Sequence, residues 1–77
     1  MTKADYIKDI RHVFGDVGLL SERQLKNYLN VGEDSVKTFL LDIPHFGNGR
    51  GKRFAVVDIS EKLAQNMGFK NTYNRSK

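Results

Sequence analysis

The chain contains no cysteine, so neither a disulfide framework nor a thiolate zinc site can supplement its core. No apolar run approaches the roughly 20 residues needed to span a bilayer. The first residues lead into mixed charges rather than the apolar segment of a signal peptide. With 77 residues, we expect one domain stabilised by apolar burial between helices, in the cytoplasm and without a membrane partner.

Charge is unevenly distributed along the sequence. Residues 1–44 hold six Lys/Arg against seven Asp/Glu, a net of −1, whereas residues 45–77 hold seven against two, a net of +5. The two parts give the formal net charge of +4. A basic half beside a nearly neutral half is typical of a polyanion-binding face, and a solvated basic tail is the alternative.

The first predicted helix covers residues 5–14, capped by Thr2 or Asp5 and ended by Gly15 and Gly18, which form a flexible joint. Its apolar residues recur at helical spacing and form one stripe, which favours the domain core over a partner or dimer surface. The stripe consists of Tyr6, Ile7, Ile10, Val13 and Phe14.

Two further helices are predicted around a short turn. Ser21 and Gln24 match a capping box at the start of the second helix, and Asn30 tolerates the left-handed conformation that ends it. Gly32 caps a third helix that runs from about residue 33 to 41. The predicted inward face of the third helix consists of Val36, Phe39 and Leu40.

A β-hairpin is predicted next, because Pro44 prevents the third helix from continuing. Its strands lie near residues 45–46 and 53–56, on either side of a glycine-rich turn. Asp58 and Glu61 match a second capping box at the start of a last helix. Ile59, Leu63 and Met67 face inward in that helix, Gly68 ends it, and residues 69–77 form a flexible basic tail.

From Leu20 to about Ala64, the chain resembles the excisionase and MerR-like winged-helix family of phages and mobile elements. The matching residues are Leu20-Ser21, Leu25, Tyr28-Leu29, Val31, Ser35-Val36, Ile43-Pro44-His45-Phe46, Lys52-Arg53-Phe54, Asp58-Ile59 and Leu63. The resemblance implies a mainly α-helical fold with a small β-hairpin. The expected organisation is an N-terminal amphipathic helix over residues 1–18, packed on or extending a winged helix-turn-helix domain over residues 19–68.

The expected partner is double-stranded DNA, with a recognition helix in its major groove and the hairpin, as a basic wing, beside it. Nine residues are candidates for DNA contact through base edges or phosphates, and for each the alternative is a solvated side chain. They are Arg23, Lys26, Ser35, Lys37, Thr38, His45, Arg50, Lys52 and Arg53. An arginine of the hairpin could instead pair with Asp42 or Asp58.

The sequence does not match a nucleotide-binding, metal-binding or catalytic site. The three alternating glycines from Gly47 to Gly51 have no preceding parallel strand and following helix, so they do not match a nucleotide-binding loop. Neither His12 nor His45 has a metal-ligand partner at usable spacing. No catalytic pattern is recognisable, so we expect no enzyme, no cofactor and no metal.

Three functions remain open. The first is an excisionase-like accessory factor for site-specific recombination, which contacts an integrase and self-associates on DNA. The second is a phage or mobile-element transcriptional regulator that uses the same DNA-binding face. The third is a winged-helix protein-interaction module, favoured by the acidic start of the third helix (Glu33, Asp34) and by the apolar stripe of the first.

Overall fold

The structure of the protein, a computed structural model, describes residues 1–65. This part of the chain consists of α1 (Lys3–Phe14), β1 (Leu19–Leu20), α2 (Glu22–Leu29), α3 (Glu33–Leu40), β2 (Phe54–Ala55) and α4 (Val56–Gln65). It is mainly helical, as predicted, and contains a small two-stranded antiparallel sheet. None of its helices is long and apolar enough to cross a membrane. The predictions for Met67, Gly68 and the tail lie outside the described residues.

Helix α1 shares one hydrophobic core with the rest of the described structure and packs against α4. Tyr6 and Ile10 are buried, and Ile7 and Phe14 are partly buried against the core. Val13 departs from the predicted stripe, because 55% of its surface is exposed. The buried apolar residues are Tyr6, Ile10, Leu20, Leu25, Val36, Phe39, Leu40, Ile43, Phe54, Val56, Ile59 and Leu63.

The helix ends follow the sequence closely. Thr2 caps α1: its hydroxyl accepts from the Asp5 amide at 3.2 Å, and its own backbone amide donates to the Asp5 carboxylate at 3.0 Å. The bond from the Thr2 amide holds the pKa of that carboxyl below its usual value. The capping box of Ser21 and Gln24 is confirmed at the start of α2. Asn30 ends α2 in the left-handed conformation with φ of 56°, also as predicted. Gly32 is the N-cap of α3 without a side-chain hydrogen bond.

The sheet differs from the prediction. The strands predicted around the glycine-rich turn are reduced to a single antiparallel bridge between Phe46 and Arg53. The chain instead pairs Phe54–Ala55 with Leu19–Leu20, a strand that sequence reasoning did not identify. Leu20 and Phe54 are opposite each other and both buried, so core burial stabilises this pairing of distant segments.

Helix α4 begins two residues before the predicted cap. The Val56 amide donates to the carbonyl of Gly18 at 2.9 Å, so a tertiary contact satisfies an amide at the helix start. Asp58 therefore lies in the first turn rather than at the cap, and the capping box with Glu61 does not form. The Glu61 carboxylate instead accepts from Lys3 at 3.5 Å.

Tyr28 joins α2 to α1. Its hydroxyl donates to the carboxylate of Asp9, and its ring lies 6.2 Å from that of Phe14, measured between centroids. Partial burial and the bond to Asp9 raise the pKa of Tyr28.

The segment that follows α1 is also held by hydrogen bonds. The Gly15 amide donates to the Arg11 carbonyl, and the Val17 amide donates to the Gly15 carbonyl. The predicted joint thus contains backbone hydrogen bonds and leads into β1.

Ser60 of α4 is fully buried, and its hydroxyl has no hydrogen-bond partner among the described residues. A buried hydroxyl without a partner destabilises the folded state because its hydration is lost without replacement. We expect Ser60→Ala to raise the free energy of unfolding by about 1 kcal/mol, measured by urea denaturation. Ser35→Ala, an exposed serine-to-alanine change, should stay within about 0.5 kcal/mol of wild type. A destabilised Ser60→Ala variant would contradict this assignment.

Candidate nucleic-acid interface

The small sheet brings two distant basic segments together. Because Leu20 lies opposite Phe54 in an antiparallel pair, the start of α2 and the end of the glycine-rich loop (residues 47–52) are neighbours. Ser21 and Glu22 therefore begin a helix directly beside Arg53. The predicted hairpin alone would not have fixed this arrangement.

An open groove lies between α2, α3 and the loop, and we call it the cationic groove. Six basic side chains and two glutamates line it, a formal net of +4. The basic residues are Arg23 and Lys26 of α2, Lys37 of α3, and Arg50, Lys52 and Arg53 of the loop and its end. The structure thus places six of the nine candidate residues on one continuous surface.

The remaining three candidates lie outside that groove. Ser35 and Thr38 are exposed on α3 but do not line it. His45 lines a neighbouring hollow, which shares Lys37 and Lys52 with the groove. The Nδ1 atom of His45 lies 3.0 Å from the Gly47 carbonyl oxygen, so this ring supports the base of the loop.

Most groove cations have no ion pair within residues 1–65. The alternative in which an arginine of the loop pairs with Asp42 is wrong, because Asp42 accepts from Lys62 at 2.6 Å. That hydrogen bond holds the pKa of Asp42 below its usual range. Lys62 also donates to the Phe39 carbonyl and lies over the Phe39 ring, which fixes the C-terminal end of α3.

Lys37 is different, because two carboxylates approach it. Its Nζ atom lies 3.2 Å from an oxygen of Glu22 and 3.9 Å from one of Glu33. The sequence indicated Glu33 only as an acidic residue at a helix start, and no pattern in it pointed to Glu22. The four-residue spacing of Glu33 and Lys37 was the available signal for one of these pairs.

The loop has a defined shape. The amide and carbonyl groups of Phe46 and Arg53 form two hydrogen bonds of 2.8 Å, and a 3₁₀ turn over Gly49–Gly51 reverses the chain. The Arg53 guanidinium donates to the Lys52 carbonyl at 2.9 Å, an additional contact within the loop. Backbone hydrogen bonds thus close the loop and present its basic side chains to the groove.

Gly47 is required for that shape. Its φ is +81°, and a Cβ atom there would lie 2.7 Å from the carbonyl oxygen of Gly51. We expect Gly47→Ala to lower the free energy of unfolding by about 1–3 kcal/mol, measured by urea denaturation. Gly51→Ala is the matched control, because its Cβ would meet no heavy atom within 4 Å. Equal effects at the two positions would contradict a specific role for Gly47.

Comparison of the chain with family models, with curated proteins and with solved structures gives no match. Among the described residues, there is also no group of three or more His, Cys, Asp and Glu that could hold a metal ion. The cationic groove is therefore the feature of the described residues that indicates a function. A surface of this charge is suited to a polyanion whose charges are repeated along its length.

Proposed function

We propose that this chain binds double-stranded DNA as a winged helix-turn-helix domain. In this proposal α3 is the recognition helix in the major groove, α2 crosses the backbone, and the loop with its flanking residues is the wing. The single observation that carries the proposal is the cationic groove. It combines basic residues from these three elements, as docking of such a domain on DNA requires.

The charges of the groove support phosphate contacts. Arg23, Lys26, Arg50, Lys52 and Arg53 form no ion pair with the described residues, so no ion pair has to break before they neutralise phosphates. Each phosphate neutralised releases close to one counterion, and binding therefore weakens as salt increases. The arginines of the wing are also suited to narrow minor grooves, where the negative potential is enhanced.

The role we propose is accessory factor for site-specific recombination, similar to excisionases. This part of the proposal rests on the resemblance of residues 20–64, and it implies an integrase as partner and several copies on DNA. A transcriptional regulator would use the same DNA-binding residues. The apolar stripe no longer favours the protein-interaction alternative, because its residues Tyr6 and Ile10 are buried inside the domain and cannot contact a partner.

Titration of the wild-type protein against a random-sequence duplex of about 30 base pairs tests the proposal, at salt concentrations between about 0.05 and 0.2 M. If five cations contact phosphates, the logarithm of the association constant should fall against the logarithm of salt with a slope of about −4 to −5. Absence of binding at the lowest salt would refute the proposed function. Binding with a slope near zero would refute the phosphate contacts.

A further inference from the structure

Lys37 occupies a distinctive position among the six groove cations. It is 57% exposed, so solvent and a bound polyanion can both reach it, yet two carboxylates already lie within 4 Å of its ammonium group. The other five form no such pair within residues 1–65. The two glutamates also line the groove themselves, where they reduce its positive charge.

Both carboxylates belong to residues at helix starts. Glu22 and Glu33 are the first residues of α2 and α3, where the helix dipole stabilises negative charge. Glu33 precedes Lys37 by one helical turn, in the favourable order for such a pair. Glu22 reaches the same ammonium group from the neighbouring helix, whose start is fixed by the Ser21 capping box. Lys37 is thus shared between carboxylates at the starts of two helices.

A DNA phosphate would have to compete with these carboxylates for Lys37. Phosphate contacts are the same at every sequence, and they supply essentially all of non-specific binding. Withholding one cation from them lowers affinity for DNA of any sequence. It leaves contacts made to base edges unchanged.

We propose that Glu22 and Glu33 withhold Lys37 from the DNA backbone and thereby limit sequence-independent binding by the groove. This inference rests on the proposed function and deepens it. The two glutamates are then specificity-determining residues of the interface, and Lys37 is the cation on which they act.

The test is the double variant Glu22→Gln/Glu33→Gln, titrated with the random-sequence duplex. Release of Lys37 to one phosphate should steepen the salt slope by about 0.9 and raise affinity about eightfold at about 0.1 M salt. Circular dichroism and urea denaturation should show that the variant remains folded. A purely structural role of the ion pairs would not increase affinity.

Two controls separate release of Lys37 from a general change in charge. Asp34→Asn removes a negative charge beside Glu33, at an exposed residue that forms no ion pair with the described residues and does not line the groove. It should raise affinity much less than the double variant. Adding Lys37→Ala to the double variant should cancel the gain. An equal gain with Asp34→Asn, or a gain that persists without Lys37, would overturn the proposal.

The remaining outcomes distinguish the two proposals. If the wild type binds with the expected salt dependence and the double variant binds no more tightly, the inference about Glu22 and Glu33 is wrong and the proposed function stands. If neither protein binds at low salt, both are wrong. If only the double variant binds, the glutamates do restrict the groove, but the proposed function of the wild-type protein is wrong.

Discussion

Replacing Arg50, Lys52 and Arg53 together by alanine should weaken binding to a random-sequence duplex by about 10²–10³-fold at about 0.1 M salt. Each lost phosphate contact removes close to one released counterion, which corresponds to about eightfold at this salt concentration. The salt slope should also become shallower by nearly 3. Fluorescence anisotropy at several salt concentrations measures both quantities.

The matched control removes the same charge elsewhere. Lys3, Lys8 and Arg11 lie on α1 and do not line the cationic groove, so their joint replacement by alanine should change the salt slope by less than about 1. Both triple variants should remain folded, because the substituted side chains are outside the core. If both weaken binding equally, net charge rather than the groove determines affinity, and the assigned interface is incorrect.

Ile10→Ala should lower the free energy of unfolding by about 2–5 kcal/mol. Ile10 is fully buried in the core that α1 shares with α4, and the shortened side chain would leave a cavity there. For a domain of this size the total stability is expected to be about 4–12 kcal/mol. The substitution therefore removes a large part of it, and urea denaturation measures the loss directly.

Val13→Ala is the control for that substitution, because Val13 lies on the same helix and is 55% exposed. Its effect should be within about 0.5 kcal/mol of zero. A loss below about 1 kcal/mol for Ile10→Ala would show that α1 is a dispensable extension. A large loss for both variants would show instead that the exposed face of α1 is also covered in solution.

Much of the candidate interface could be predicted from local sequence. The Ser21 capping box, the left-handed Asn30 and the Gly32 cap depend on residues within a few positions of one another, and all three are confirmed. Lys37 and Thr38 could be assigned to the exposed side of α3 from the spacing of its apolar residues. The cross-helix contact of Lys37 with Glu22 could not, because it joins two elements whose relative position is set by packing.

The sequence by itself determined the four α-helices of residues 1–65 and most of their ends, since capping and apolar periodicity are local properties. Only the tertiary structure decided where the sheet forms. A strand of two residues is too short to show an alternating pattern of apolar and polar side chains. Leu19–Leu20 pairs with Phe54–Ala55 because Leu20 and Phe54 are buried in the same core. The same pairing places Arg53 beside the start of α2. The basic residues were therefore evident in the sequence, but their assembly into one groove depends on a contact between distant segments.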